Sequence, residues 1–337
     1  MKKILLSMMA LCCALAGMAQ TTTDVPKVVL QHGDQVSVFQ GANAFVLAMT
    51  AAEDGDVINL SDGNFAPAPI NKSVSIYGAG YESNAETGTA VSCLDSDVFI
   101  GVSGDTLCNV HMEGLYINGF LYAGYANNNT TKVPLKNLTI EKCWIQKTLN
   151  MGLYNENLTI KQCVLWGGEA QSIIRGLCKN TLITNCLLYG TIVGYTEDGE
   201  VLIDHSISNG WNYSGNNGQG MTWTNSIFAR DLYGPYCVLK NCLIRNSTIP
   251  TGTTTENLYI VRVVSEIFAD AIDATYSADR TFELQQPDVW IGTDGTQVGI
   301  LGGMGWSKVP RIPVIKTLEL NVEGTQLHIN YEAEARD

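Results

Sequence analysis

Six side chains in the middle of this chain are of types that grip a polar ring or move its protons: Tyr154, Arg175, Tyr195, Glu197, Asp231 and Tyr233. They fall at two related offsets from a repeated phrase. Eight residues before its reference position stand Gly152, Arg175, Tyr195, Gly215, Asp231 and Gly252; six before it stand Tyr154, Leu177, Glu197, Asn217, Tyr233 and Thr254. Trp211 and Tyr213 lie nearby, in the longest insertion. If the strands that carry them face outward, these residues share one patch. Aromatic rings mixed with a few polar groups suit sugars, which have an apolar face and a hydroxyl rim. Turned to catalysis, the same patch would use Arg175 or Tyr195 as base and Glu197, Asp198 or Asp231 as acidic partner of a polysaccharide lyase or glycoside hydrolase. A catalytic set is normally denser than this, so binding without catalysis is the favoured expectation. The opposing structural possibility is that a turn displaces the count and some tyrosines are core. Two convergent carboxylates, or a carboxylate–Arg pair in one groove, would favour the enzyme.

The elements that position these residues announce themselves as a repeat. "KNLTIEKCWI" (136–145) returns as "ENLTIKQCVL" (156–165) and "KNTLITNCLL" (179–188). With the isoleucine of "LTI" as reference, an apolar column reads Ile117, Ile140, Ile160, Ile183, Ile203, Trp223, Leu239, Ile260. Four residues later a second apolar column reads Leu121, Trp144, Val164, Leu187, Ile207, Ile227, Leu243, Val264. Thr, Asn, Gly and β-branched residues dominate, which disfavours helical repeats. A period near twenty with strand-like phrases predicts stacked parallel coils, with rungs about 4.8 Å apart.

Two further columns refine the coil. Gly119, Lys142, Gln162, Asn185, His205, Asn225, Asn241 and Arg262 mark a one-residue corner in the left-handed region, which Gly and Asn tolerate best. Asparagines stacked there have the geometry to hydrogen-bond between rungs. The next column is mostly small: Phe120, Cys143, Cys163, Cys186, Ser206, Ser226, Cys242, Val263. Rung spacing lies at the short end of disulfide Cα separations and the stacked vectors are parallel, so buried free thiols are expected in preference to bridges. No histidine joins the column, and no metal site or cofactor is expected.

Lys2 and Lys3, the apolar run Ile4 to Ala16 and Gly17-Met18-Ala19 have the pattern of a secretory signal cut after Ala19. The expected organisation is then a signal peptide (1–19), a lead segment (20–40), a parallel β-helix with caps (41–305) and a C-terminal β-hairpin tail (306–337). The hairpin is read from the alternation of "KTLELNVEGTQLHINYEAEA" around Glu323-Gly324. Export to the periplasm, cell surface or exterior follows. The net charge of −13, with no basic stripe, argues against nucleic acid or an anionic membrane as partner. No later apolar run is long enough to span a bilayer; oligomeric state is open.

The ends carry a family resemblance. The helical pattern in "GANAFVLAMTAAEDGDVINLSDGNF" (41–65) and the "SIYGAG" turn resemble the opening of right-handed, single-stranded parallel β-helix proteins of the pectate-lyase-like superfamily. "FELQQPDVWIGTDGTQVGILGG" (282–303) resembles the closing segment of exported β-helix proteins of Bacteroidota. The implied fold is all-β, a right-handed parallel β-helix with an N-terminal helical cap. The superfamily spans lyases, hydrolases, esterases and adhesins, so it implies no single activity. "VLIDHSISNGW" (201–211) is similar to the Ile-Asp-His phrase of family 1 pectate lyases, yet His205 occupies the corner slot that Asn185, Asn225 and Asn241 hold elsewhere. A structural role is therefore expected for it. "KVPRIP" (308–313), the one text comparable to those lyases' Arg-Pro phrase, lies past the coils and reads as a chance match. "YGAGYES" and "LGGMGW" read as turns, since neither has the helix or acidic partner of a dinucleotide site.

Overall fold

The computed structural model describes residues 25–124, 133–152, 154–167, 172–176, 179–193, 201–210, 221–232, 236–245, 248–271, 273–311, 314–323 and 326–334. Three parallel sheets wind into a β-solenoid of about eight turns. The first sheet carries the repeated phrases, with Leu135–Glu141, Glu156–Lys161 and Lys179–Thr184 at its centre. Ile140, Ile160 and Ile183 lie side by side in it, in parallel register. The second sheet holds ten strands from Gly63–Phe65 to Tyr259–Val261, and the third holds five, from Val98–Ile100 to Thr191–Val193. Alternation turns Leu138 and Ile140, then Leu158 and Ile160, into a continuous core, while Thr139 and Thr159 face outward.

The middle of the expected ladder is observed, and both its ends slip by five residues. Below Ile140 the true partner is Met112, followed by Ile76; Ile117 belongs to the second sheet and pairs with Ile145. Above Leu239 the partner is Thr255, whereas Ile260 pairs with Ile244 in the second sheet. Leu121 pairs with Leu149 in the third sheet, and Val264 starts a short 3-10 turn. The cause is unequal coil length. Met112 to Ile140 spans 28 residues and Leu239 to Thr255 only 16, so a period near twenty picks the wrong apolar residue at each end. The corner shifts with it: Gly114 and Asn257 have positive φ, in place of Gly119 and Arg262.

The second apolar column is buried for a reason different from the first. Its members Leu187, Ile207, Ile227 and Leu243 point away from the solenoid core. They form a separate cluster with Phe268, Phe282, Trp290, Val298 and Ile300 from the C-terminal part of the chain. After its last coil the chain turns back and lays a strap, residues 286–311, along the outside of the second sheet. Strands covered on both faces read as unbroken apolar runs, as in "VLW" and "LLY".

At the N-terminal end the lead segment is itself a strand pair, Lys27–His32 with Gln35–Gln40, antiparallel, and it extends the first sheet. The helix Ala44–Ala51 follows and buries Phe45, Ala48 and Met49 in the main core. Lys72 Nζ donates to the carbonyls of Met49 (3.1 Å) and Thr50 (3.2 Å), as well as to Ala52, satisfying the helix C-terminus. The expected terminal hairpin is present as Val314–Glu323 paired with Gln326–Glu334. No helix of the described residues is long and apolar enough to cross a membrane. Residues 1–24, the expected signal among them, lie outside the described residues.

Cys143, Cys163 and Cys186 are fully buried and unbridged, as are the other described cysteines in their oxidation state; Cys178 lies outside the described residues. Each Sγ donates 3.2 Å to the carbonyl two residues earlier, on Glu141, Lys161 and Thr184. Burial pushes the Cys143 thiol up to about 12, which leaves almost no thiolate near neutral pH. We expect these three to resist alkylation in the folded protein and to titrate as free thiols after denaturation without reductant. A crosslinked Cys143–Cys163 peptide would overturn this.

Candidate functional site

The corner column is where the strap docks. Lys142, Gln162, Asn185, His205, Asn225 and Asn241 all have positive φ, between 43° and 53°, and the returning chain meets them one after another. Asn241 Nδ2 donates to the Ile291 carbonyl at 3.0 Å. Asn225 exchanges hydrogen bonds with Thr293, through Nδ2 to Oγ1 (3.1 Å) and from the Thr293 N–H to Oδ1 (2.7 Å). His205 Nε2 lies 3.1 Å from Asp294 Oδ2. Asn185 Nδ2 donates to the carbonyls of Ile300 (2.9 Å) and Gly302 (2.7 Å), and Gln162 Nε2 to Gly305 (2.9 Å). The corner amides thus bind the strap. The expected rung-to-rung bond is present in this column between Asn257 Nδ2 and Asn241 Oδ1 (3.5 Å), and a second left-handed column carries three more, where Nδ2 of Asn137, Asn157 and Asn180 donates to Oδ1 of Asn109, Asn137 and Asn157 at 2.8–3.0 Å. His205, 1% exposed with Gly302 and Gly303 packed on its ring, has the structural position expected of it.

The strap ends in a cluster of charges. Glu113 (0% exposed) and Glu141 (3%) stand on neighbouring rungs of the first sheet. Arg311 reaches both, with Nη2 2.6 Å from Glu141 Oε2 and 3.4 Å from Glu113 Oε2, while its backbone N–H donates 2.8 Å to Glu113 Oε1. Lys142 Nζ is 3.6 Å from Glu113, Lys161 Nζ 2.8 Å from Glu141, and His111 Nε2 3.3 Å from Glu113. Burial alone would raise the Glu113 carboxyl; hydrogen bonds from His111 and the Arg311 N–H, with the charges of Arg311 and Lys142, outweigh it and hold the group at about 2. Burial lowers the ammonium of Lys142. The ligand atoms of His111, Glu113 and Glu141 lie within 4.8 Å of one another, a spacing a metal ion can use. Here Lys142, Lys161 and Arg311 already supply three positive charges against two carboxylates, so a divalent ion would add charge to a site already compensated. "KVPRIP" is thus no stray phrase: its arginine is seated on the coils.

The third sheet carries the patch that includes Arg175. In the row that alternates with its core residues, Phe99, Tyr122, Asn150 and Arg175 stand on four successive rungs, Asn150 being covered. The rings of Phe99 and Tyr122 stack at 4.9 Å and 6°, Phe120 lies 5.7 Å from Tyr122, and Lys147 Nζ sits 5.0 Å over the Phe120 ring. Partial burial and Asp97 raise the Tyr122 hydroxyl, and Arg175 opposes them, so the phenol is neutral and available as donor and acceptor. Arg175 pairs in register with Asn150 and Val193, which corrects the expected alignment with Gly152 and Tyr195 by two positions. Tyr154, 64% exposed, is on the turn after the third-sheet strand Leu149–Met151. Asp231 is ion-paired at 3.4 Å with Arg245 near the far end of the stack. Tyr195, Glu197, Asp198, Trp211, Tyr213 and Tyr233 lie outside the described residues.

A cavity of about 220 Å³ opens where the strap passes the 82–89 turn, lined by Glu82, Asn84, Thr87, Thr89, Trp306, Ser307, Lys308 and Val309. Lys308 Nζ lies 3.1 Å from Glu82 Oε1, and Tyr276 donates its hydroxyl to the other carboxylate oxygen.

No family model, curated protein or solved structure matches the chain. Glu113, Glu141 and Arg311 escape sequence reasoning because they are brought together over 170 and 198 residues of chain. One signal was available: Glu and Lys at consecutive positions, 141 and 142, inside the otherwise uncharged run 137–146.

Proposed function

We propose that this chain is an exported cell-envelope β-helix, right-handed and of the pectate-lyase-like kind, that binds glycan without catalysis in a surface structural or adhesive role. The observation that carries this reading is the third-sheet row, in which three aromatic rings run toward Arg175, with Lys147 beside them. A straight flank repeats its side chains at each rung, so it follows an extended polymer over several units. Stacked rings meet the apolar faces and edges of sugars, and Arg175 offers a fork of donors to a carboxylate or hydroxyl. Two cations gathered on a chain of net charge −13 favour neutral or mildly acidic glycan over a dense polyanion. The signal pattern at residues 2–19 supports export.

One observation favours the second reading, a polysaccharide lyase or hydrolase: two carboxylates and an arginine do converge, at Glu113, Glu141 and Arg311. Their condition argues against it. Glu113 is held ionised far below the range of a general acid, and both carboxylates are covered and matched by cations. The group has what a structural latch requires. The deciding experiment is a polysaccharide panel assayed for both retention and product release. We expect retention without release, and Arg175→Ala to weaken binding of acidic members about tenfold, the loss of one charge-assisted hydrogen bond. Arg175 is exposed, so stability should stay within about 0.5 kcal/mol. Unchanged binding by Arg175→Ala would remove this face from consideration, and product release lost on Arg311→Ala would establish the enzyme.

A further inference from the structure

We infer that the cavity between the 82–89 turn and strap residues 306–309 is a binding site for a single neutral pyranose unit, a chain end or a branch. This site is separate from the Arg175 face and stands or falls independently of it. Size sets the first limit. A cavity of about 220 Å³ falls below the roughly 300–1,000 Å³ of sites that hold drug-sized ligands. It has room for one ring with its substituents and none for a run of linked units.

The walls set the chemistry. The lining is divided between apolar groups, from Trp306 and Val309, and amide and hydroxyl groups, from Asn84, Thr87, Thr89 and Ser307. That division matches a pyranose, with C–H groups on one face and hydroxyls around the rim. Asn84 Oδ1 is committed to the backbone N–H groups of Glu86 (2.8 Å) and Thr87 (3.3 Å). Its amide group is thereby fixed in orientation, with the two N–H donors left for a ligand. Charge sets the preference for a neutral sugar. The two ionic groups of the lining, Glu82 and Lys308, are paired at 3.1 Å, and Lys308 is held further by the Ala278 carbonyl at 2.8 Å. A uronate would have to take Lys308 from Glu82 and leave that carboxylate short of a partner.

The cavity is also formed in advance. The turn is closed by backbone hydrogen bonds in both directions between Asn84 and Thr89, at 3.0 and 3.1 Å, and the Thr87 and Thr89 hydroxyls meet at 3.0 Å. Lys308 anchors the opposite wall. Little ordering remains to be done on binding, which favours even a small ligand.

Saturation-transfer NMR with glucose, galactose, mannose and glucuronate tests this, on the full-length chain carrying Arg175→Ala so that the third-sheet face does not contribute. At least one of the three neutral hexoses should bind, with glucuronate at least tenfold weaker. Trp306→Ala should abolish transfer, Trp306→Tyr restore it in part, and Asn84→Ala weaken binding about tenfold, the scale of one or two hydrogen bonds. Absence of transfer from all three hexoses overturns the inference, as does glucuronate binding as well as they do. Parent-like binding by both Trp306→Ala and Asn84→Ala would place any sugar elsewhere. Should Trp306→Ala fail to fold, Asn84→Ala and Thr87→Val, on the surface turn, decide the matter by the same criterion.

Discussion

Glu113→Ala will lower the free energy of unfolding by about 3–5 kcal/mol, the cost typical of removing one partner from a buried ionic group. The side chain is fully buried. Its loss leaves Lys142, itself 3% exposed, without its nearest carboxylate, and deprives the Arg311 N–H of its acceptor. The pH dependence makes the prediction specific. The Glu113 carboxyl is depressed from 4.5 to about 2 in the folded protein. A depressed carboxylate contributes stability that is fully present above the unfolded value and lost as pH falls through the folded one. The shift of 4.5 minus 2 corresponds to about 3 kcal/mol. The gap between parent and variant should therefore be widest above about pH 4.5 and narrow steadily toward pH 2. Urea titrations across that window measure it. A gap that stays constant with pH would mean that the carboxylate charge has no part in holding this end of the strap.

The middle of the solenoid was legible because one physical rule repeats there without interruption. Each coil from Ile140 to Leu239 needs an inward apolar residue, a left-handed corner and a small residue after it, and each states all three in the same order. Legibility failed where coil length changed. Met112 and Thr255 are the true neighbours at the two ends, and neither is signalled by a fixed period. The site failed for the same reason: Arg175 was assigned to the outer flank, yet its row-mates Phe99, Tyr122 and Asn150 sit across turns of unequal length. Counting backward from the first sheet could not find them. The apolar character of Leu187, Ile207 and Ile227 was plain, but its cause was not, since a column covered by a distant strap reads like a column in the core. The asparagines of the corner were correctly placed in the left-handed region. Their partners could not be foreseen, because residues 291–305 approach them from across the fold.

This arrangement makes two demands on each corner residue, and the identities follow from meeting both. Asn tolerates positive φ and carries an amide that can bind a passing backbone, so it fills the slot at 185, 225 and 241. At 162 the longer side chain of a glutamine donates to the Gly305 carbonyl. At 142 the slot faces carboxylates instead of carbonyls, and a lysine takes it. A left-handed backbone disfavours all such long side chains, so Gln162 and Lys142 mark places where the partner's chemistry outweighed conformational preference.

Ile300→Asp will release the strap without unfolding the coils. Ile300 is 1% exposed and packs in the outer cluster with Leu187, Ile207 and Ile227, and an unpaired carboxylate there faces a desolvation cost of several kcal/mol. The chain has a cheaper course than global unfolding. The outer cluster is distinct from the main core of Ile140, Ile160, Ile183 and Ile203, and this part of the strap is joined to the corner by side-chain hydrogen bonds and by the backbone bond from the Gly299 N–H to the Asn225 carbonyl, which water can replace. Local opening therefore costs less than the loss of the solenoid. Hydrogen exchange should show loss of protection by at least a hundredfold at Trp290, Val298 and Gly299, with Ile160 and Ile183 nearly unchanged. The bared row of Leu187, Ile207 and Ile227 should bind a hydrophobic dye and drive association. If Ile160 and Ile183 lose protection together with the strap, the two clusters are one cooperative unit, and the return of the chain along the corner is a condition of the solenoid's folding.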